Sequence, residues 1–376
     1  MNFKIRIRSL LLALLVCVPI ISVGHTAGEV SNQFVYVTNQ ADGTISAFSL
    51  NATTGVLTPL ANSPFEAAGV GPAELVADPT GTHLYVADTQ FVPGVRGSNC
   101  NAASGQVEVQ TVNQGTGQLT LAQQVTLPGV CPTSLVTDTA GKNLYVLLQD
   151  TSQQHALIAQ YDIHPVTGQM TELATLIIGV VTAPTQIVVA PGGKFVYAST
   201  EDGIYLMERN TSTGVLGTAS LAWSQPTGAL AISNRALFGA VVGYHFTPFI
   251  LEFSIDANTG ALSFLWSVNP DDLPVALALT TTGNYLATAN PDDDTTSLYS
   301  VPANGQFAPV ADSPFPTGSR PSSASFDTLN RFLFVVNFVS SNVTGYALNS
   351  ATGALTPIAG SPFAVGSSPA DIVVVR

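Results

Sequence analysis

The sequence predicts an all-β, seven-bladed β-propeller, in which one unit of four antiparallel strands is written seven times along 376 residues. The first observation behind this is a turn of the form Thr-Gly-x-Leu or a close variant. It stands at Thr54-Gly55-Val56-Leu57, Thr116-Gly117-Gln118-Leu119, Thr167-Gly168-Gln169-Met170 and Thr213-Gly214-Val215-Leu216, then at Thr259-Gly260-Ala261-Leu262, Asn304-Gly305-Gln306-Phe307 and Thr352-Gly353-Ala354-Leu355. The second is a set of seven prolines, Pro72, Pro132, Pro184, Pro226, Pro274, Pro321 and Pro369, each opening a short apolar run. The third is an aromatic-centred strand with Tyr36, Tyr85, Tyr145, Tyr197, Phe238 and Phe334 in one register, Ala287 filling the remaining place.

Each element of the unit follows from local chemistry. In the second unit the run after Pro72 gives strand A, Ala73 to Asp78. Pro79-Thr80-Gly81 turns the chain into strand B, His83 to Asp88. Strand C runs from Gln106 to Val112, and Gly115-Thr116-Gly117 leads into strand D, Leu119 to Leu127. Strands A and B are nearly continuous apolar runs, as in Phe332-Leu333-Phe334-Val335-Val336, which predicts burial on both faces. Strands C and D are more polar, with Glu108 and Gln110 as examples, and are assigned to the rim. The chain opens on a strand B, Phe34 to Asn39, with no strand A before it, and its last segment, Ala370 to Arg376, is a strand A with no strand B after it. That last strand is therefore expected to complete the first blade and close the ring, which removes two open sheet edges. A solenoid would call for capping units instead.

Residues 1–27 read as a signal peptide: Lys4, Arg6 and Arg8 precede an apolar run from Leu10 to Val23, with a cut near 24 or 27. Residues 28–376 form the propeller domain. This places the mature protein in an extracytoplasmic, periplasmic or secreted, setting. Removing three basic and no acidic residues takes the formal charge from −13 to −16, a surface that repels phosphates, so nucleic acid is excluded as a partner. No later stretch is apolar and long enough to span a bilayer, and the expected state is a monomer.

Cys100 and Cys131 remain after processing. They lie in the B–C loop and the D–A loop of the second unit, on one face of the ring, and are a disulfide candidate. The same up-and-down strand order puts Asp271 and Asp272 on one face with Asp292, Asp293 and Asp294. Converging carboxylates make these five a candidate Ca²⁺ site, weighed against a solvated acidic rim. No cofactor is required by any motif. The histidines have no i, i+2 or i, i+4 spacing, which argues against zinc. His245, between Tyr244 and Phe246 in a B–C loop, is a candidate ligand contact. There is no Gly-x-Ser-x-Gly elbow and no P-loop.

Tyr36-Val37-Thr38-Asn39, Ile45-Ser46-Ala47-Phe48, Ser63-Pro64-Phe65, Ser313-Pro314-Phe315 and Ser361-Pro362-Phe363 resemble the lactonase-like, YVTN-repeat propellers, a group that includes 6-phosphogluconolactonases of propeller type. The resemblance covers about residues 33 to 376 and implies a lactonase whose Arg and His follow the strand-A prolines and face the channel. Here Pro72-Ala73-Glu74, Pro132-Thr133-Ser134, Pro184-Thr185-Gln186, Pro226-Thr227-Gly228, Pro274-Val275-Ala276, Pro321-Ser322-Ser323 and Pro369-Ala370-Asp371 carry neither. The primary expectation is therefore a scaffold that binds a small lactone-like or carbohydrate-like molecule, or a protein or cell-envelope partner, at its channel mouth. By repeat position its contacts are Asn39, Glu74, Asp88, Gln186, Glu201, Asn290, Arg320, Asn337 and Asp371. The alternative is a lactone hydrolase with Glu74 or Asp371 as base and Arg320 polarising the carbonyl. A surface-layer or cell-wall module is a third reading.

Overall fold

The computed structural model describes residues 32–89, 104–150, 152–153, 155–180, 183–241, 248–270, 273–303 and 306–376. The proposed signal peptide lies outside the described residues. Seven antiparallel sheets, blades I to VII in chain order, form the fold. In blade II strand A is Pro72–Ala77, B is His83–Asp88, C is Ser104–Val112 and D is Leu119–Pro128. Strand A of every blade touches strand A of both its neighbours, so these strands ring the central channel and D lies at the rim. Blade I takes B, C and D from Gln33–Asn39, Thr44–Leu50 and Leu57–Pro59, and its strand A is Pro369–Val375. Tyr36 pairs with Val373 and Phe34 with Val375, so the ring closes as the half-units require.

The repeat landmarks have direct physical roles. The turn glycines adopt left-handed backbone, Gly117 at φ +72°, and a Cβ there would lie 2.4 Å from the Phe34 ring of the preceding blade. The Tyr36 hydroxyl donates to the Gly117 carbonyl (2.6 Å). The same bond joins Tyr85 to Gly168 (3.1 Å), Tyr145 to Gly214 (2.5 Å) and Tyr197 to Gly260 (2.7 Å). The strand-B tyrosine of one blade is thus tied to the C–D turn of the next. In the three Ser-Pro-Phe segments, whose Ser–Pro bonds are cis, the serine Oγ accepts a strand-C N–H: Ala47 (2.8 Å), Leu298 (3.1 Å) and Gly345 (2.9 Å). The phenylalanine then starts a short extra strand, Phe65 beside Ile45, Phe315 beside Thr296 and Phe363 beside Val343.

The core lies between blades rather than within them. Seven apolar clusters occupy the seven junctions, from Phe34, Tyr36, Leu84 and Val86 between I and II to Val35, Val37, Phe332 and Phe334 between VII and I. Strand C belongs to this core, which corrects the rim assignment of Glu108 and Gln110. Glu108 is wholly buried and Gln110 nearly so. They sit on a strand sandwiched between sheets, and their polarity is met locally. Gln110 Nε2 donates to Glu108 Oε1 (3.1 Å), and the Ala68 N–H donates to Glu108 Oε2. Exposure is concentrated on strand D.

Candidate active site at the channel

Strand A bulges just after its proline. The register with strand B shifts between Pro72 and Glu74, Pro184 and Gln186, and Pro321 and Ser323. One extra residue re-aims the next side chain, here sideways toward the neighbouring blade. The result is an inter-blade girdle. Ser323 Oγ of blade VII donates to Asp371 Oδ1 of blade I (2.6 Å), and Asp371 Oδ2 accepts the Leu75 N–H of blade II (3.0 Å). Ser134 Oγ of blade III donates to Glu74 Oε1 of blade II (2.9 Å) and accepts the Ile187 N–H of blade IV (3.3 Å). Gln186 Oε1 accepts the Leu230 N–H of blade V (2.7 Å).

Glu74 and Asp371 are therefore brought together, partly exposed along the channel and otherwise enclosed by protein. Burial pushes the Glu74 carboxyl well above the usual range, and the neighbouring Asp371 charge adds to it. Burial also raises Asp371, where Ser323 and the Leu75 and Ile372 N–H groups oppose the rise, as Ser134 and the Leu135 N–H do at Glu74. The Asp371 charge acts on Glu74 in addition to burial, so Glu74 is the more strongly raised of the two carboxyls. Ser134 and Ser323 were not singled out from the sequence. Their signal was present: the second position after the proline is polar in blades VII, I, II, III and IV consecutively.

The other predicted contacts separate into several groups. Asn39, Asn290 and Asn337 are fully or almost fully buried at the ends of strand B. Asn39 Nδ2 donates to Thr44 and Ser46 (both 2.9 Å), and its Oδ1 accepts the Gly366 N–H (3.1 Å). Asn290 donates to Thr295 (3.1 Å) and Ser297 (2.9 Å), and Asn337 to Asn342 (2.7 Å) and Thr344 (2.9 Å). These amides latch strand C within their own blades. Asp88 holds the same place in blade II and is also buried. Glu201 is exposed in the tight B–C turn of blade IV.

Arg320, in the loop entering blade VII, is partly exposed with φ +56°. Its backbone N–H donates to Asp294 Oδ1 (2.7 Å), and among the described residues its side chain forms no ion pair with Glu74 or Asp371. Asp292, Asp293 and Asp294 are exposed. Asp271, Asp272, His245 and Cys100 lie outside the described residues. Cys131 is buried beside Gln149 at the start of strand A of blade III. Among the described residues no group of three or more His, Cys, Asp or Glu side chains is arranged to hold a metal, and no helix is long and apolar enough to cross a membrane.

Comparison with known proteins fits this architecture. The chain superposes on a 6-phosphogluconolactonase candidate from Bacteroides uniformis with TM-score 0.74 at 19% identity, covering 92% of this chain and 100% of that one. The periplasmic gluconolactonase PpgL of Pseudomonas aeruginosa gives TM-score 0.72 at 18% identity over 92% and 99%. At these identities the likeness is one of fold. No curated protein sequence matches the chain significantly. The model of the family described as lactonase, 7-bladed beta-propeller, matches residues 25–175 and 274–373, and the chain belongs to that family.

Proposed function

We propose that the chain is a lactone hydrolase whose reacting groups are Glu74 and Asp371. The observation that supports this reading is the asymmetric acid pair on the channel wall of a lactonase-family propeller. In the proposed reaction Asp371 takes a proton from water as its oxygen attacks the lactone carbonyl carbon. Glu74 gives its proton to the ring oxygen as the acyl C–O bond breaks, and a hydroxy acid leaves. Proton transfer from Asp371 back to Glu74 resets the pair. Arg320 is proposed to stabilise the oxyanion from the loop entering blade VII, the blade whose Ser323 orients Asp371. An acidic protein with two carboxyls at the site disfavours a phosphate dianion, so the proposed substrate is an uncharged sugar lactone rather than its phosphate ester. The proposal includes an extracytoplasmic setting after signal-peptide removal, with Cys100 and Cys131 as a disulfide.

The test is hydrolysis of glucono-1,5-lactone and 6-phosphogluconolactone by the mature chain, followed by pH-stat above the spontaneous rate. We expect the uncharged lactone to be the better substrate. Asp371→Asn and Glu74→Gln should each lower kcat by about 10²–10⁴-fold. Both carboxyls are raised, so the rate should climb only as Asp371 ionises above the ordinary carboxylate range, and fall at higher pH as Glu74 loses its proton. Unchanged rates in both variants would overturn the assignment. Absence of hydrolysis of either lactone returns the chain to the binding-scaffold reading.

A further inference from the structure

Two inter-blade junctions carry a glutamine latch that, among the described residues, the junction between blades V and VI lacks. Between II and III, Gln123 Oε1 accepts the Met170 N–H (2.6 Å) and its Nε2 donates to the Met170 carbonyl (3.0 Å). Between III and IV, Gln160 Oε1 accepts the Leu216 N–H (2.8 Å). Glu252 occupies the Gln160 position in blade V, since it pairs with Phe238 as Gln160 pairs with Tyr145. Its side chain makes no such bond. It is only 7% exposed, and no hydrogen bond among the described residues reaches its carboxylate, whose sole electrostatic neighbour is Arg235. Beside Glu252 lies a cavity of about 300 Å³, lined by Glu252, Arg235, Trp266, Leu265, Pro302 and Gln306.

Trp266 is the cross-strand partner of Glu252. The register shifts between Glu252 and Phe253, which leaves Leu265 as the extra residue on strand D. That bulge carries Trp266 into the cavity wall beside the acid. Phe264 on the same strand stacks on Trp223 of blade IV (6.1 Å between centroids, 15°), which anchors the strand. Arg235 is fixed by its Nη2, which donates to the Gly283 carbonyl (2.7 Å) and Asn284 Oδ1 (3.2 Å). The cavity thus offers a flat aromatic face, a carboxylate acceptor open to the cavity and an immobilised donor.

We propose that the cavity between blades V and VI is a binding site for a neutral saccharide, stacked on Trp266 and donating a hydroxyl to Glu252. The two charges select this class. Arg235 repels an organic cation that the indole and carboxylate would otherwise hold, and Glu252 repels an anion that Arg235 would hold. A neutral polyol satisfies both groups and places its apolar ring face on the indole. The volume lies at the small end of the ~300–1,000 Å³ typical of ligand sites, which suits a single sugar unit. This site is on the rim, apart from the proposed catalytic pair.

The test uses the mature full-length chain and isothermal titration calorimetry with glucose, N-acetylglucosamine and xylose, with choline and gluconate as charged comparators. Saturable binding of at least one neutral sugar is expected. Glu252→Gln should weaken it about tenfold, the loss of one charge-assisted hydrogen bond, and Trp266→Ala should abolish it. The chain has two tryptophans, so Trp223→Phe leaves Trp266 as a fluorescence reporter that should respond to the bound sugar. Glu252→Gln preserves shape and decides the matter if Trp266→Ala does not fold. Equal sugar binding by Glu252→Gln, tighter binding of choline or gluconate, or no saturable binding of any of the three sugars would overturn the proposal.

Discussion

Arg209 shows how much one buried side chain can organise. Its Nε donates to the Tyr145 hydroxyl (2.6 Å), its Nη1 to the Gly193 carbonyl (3.0 Å), and its Nη2 to Asp138 Oδ2 (2.8 Å) and Asn143 Oδ1 (2.6 Å). It is 5% exposed and Asp138 2%. The arginine thus ties blade IV to the A–B turn and strand B of blade III. Breaking a buried ion pair leaves its partner charged and desolvated, so Arg209→Met should cost about 3–5 kcal/mol. Denaturant unfolding of the variant measures this, and a cost under about 1 kcal/mol would show that Asp138 finds other partners. Nothing in the sequence marked Arg209, because it lies outside the repeat landmarks and its partners come from another blade. The channel residues were more legible. Position after the proline located Glu74 and Asp371, and the structure joins them. The same repeat logic placed Asn39, Asn290 and Asn337 at strand ends without revealing their burial and hydrogen bonds, since register gives a residue's place along a strand and not what its amide touches.

At the scale of the element, blade II replaces the Asn latch of blades I, VI and VII with acids. Where Asn39 donates to Ser46 across the strand pair, Asp88 lies near Glu108 on the corresponding face. Neither Asp88 oxygen has a hydrogen-bond partner. The nearby Gly71 N–H favours its anion. Burial, with the Glu108 charge adding to it, pushes the Asp88 carboxyl up to about 8. The folded chain therefore keeps a proton that the unfolded chain releases near 3.8. The stabilising contribution of that proton is complete below 3.8 and is lost as pH rises toward about 8. Asp88→Asn restores a donor and removes the titration. We expect it to stabilise the protein by about 1–3 kcal/mol, with a larger gain at pH 8 than at pH 5, measured by denaturant midpoints at both. A gain that is constant with pH would mean that Asp88 is not the titrating group. Strand boundaries were readable here to within about two residues, as strand B at His83–Asp88 shows. The burial of strand C was not, because Glu108 and Gln110 satisfy each other in a way that only the paired sheet reveals.

At the scale of the whole molecule, stability depends on closure. Strand A of blade I contributes buried Ile372, Val374 and Val375, and its removal would also expose the edge of strand B. Burying three such side chains is worth about 5–9 kcal/mol, against a typical total stability of about 5–15 kcal/mol. Deletion of residues 369–376 should therefore abolish cooperative unfolding, and a synthetic peptide of the same sequence added in trans should restore it. A truncated chain that unfolds cooperatively at the normal midpoint would show that the ring does not need its seal. This closure was the most legible feature of the sequence. A strand B without an A and an A without a B can complete each other in a ring, whereas the V–VI cavity is lined by side chains that no repeat landmark singles out.

The seal also sets a clock. Strand B of blade I emerges some 330 residues before the strand that covers it. At synthesis rates of about 5–20 residues per second, that edge stays open for roughly 15–70 seconds. During this interval one edge of Phe34–Val37 stays open while the other pairs with strand C of blade I, which makes blade I a segment in need of chaperone cover before the ring shuts.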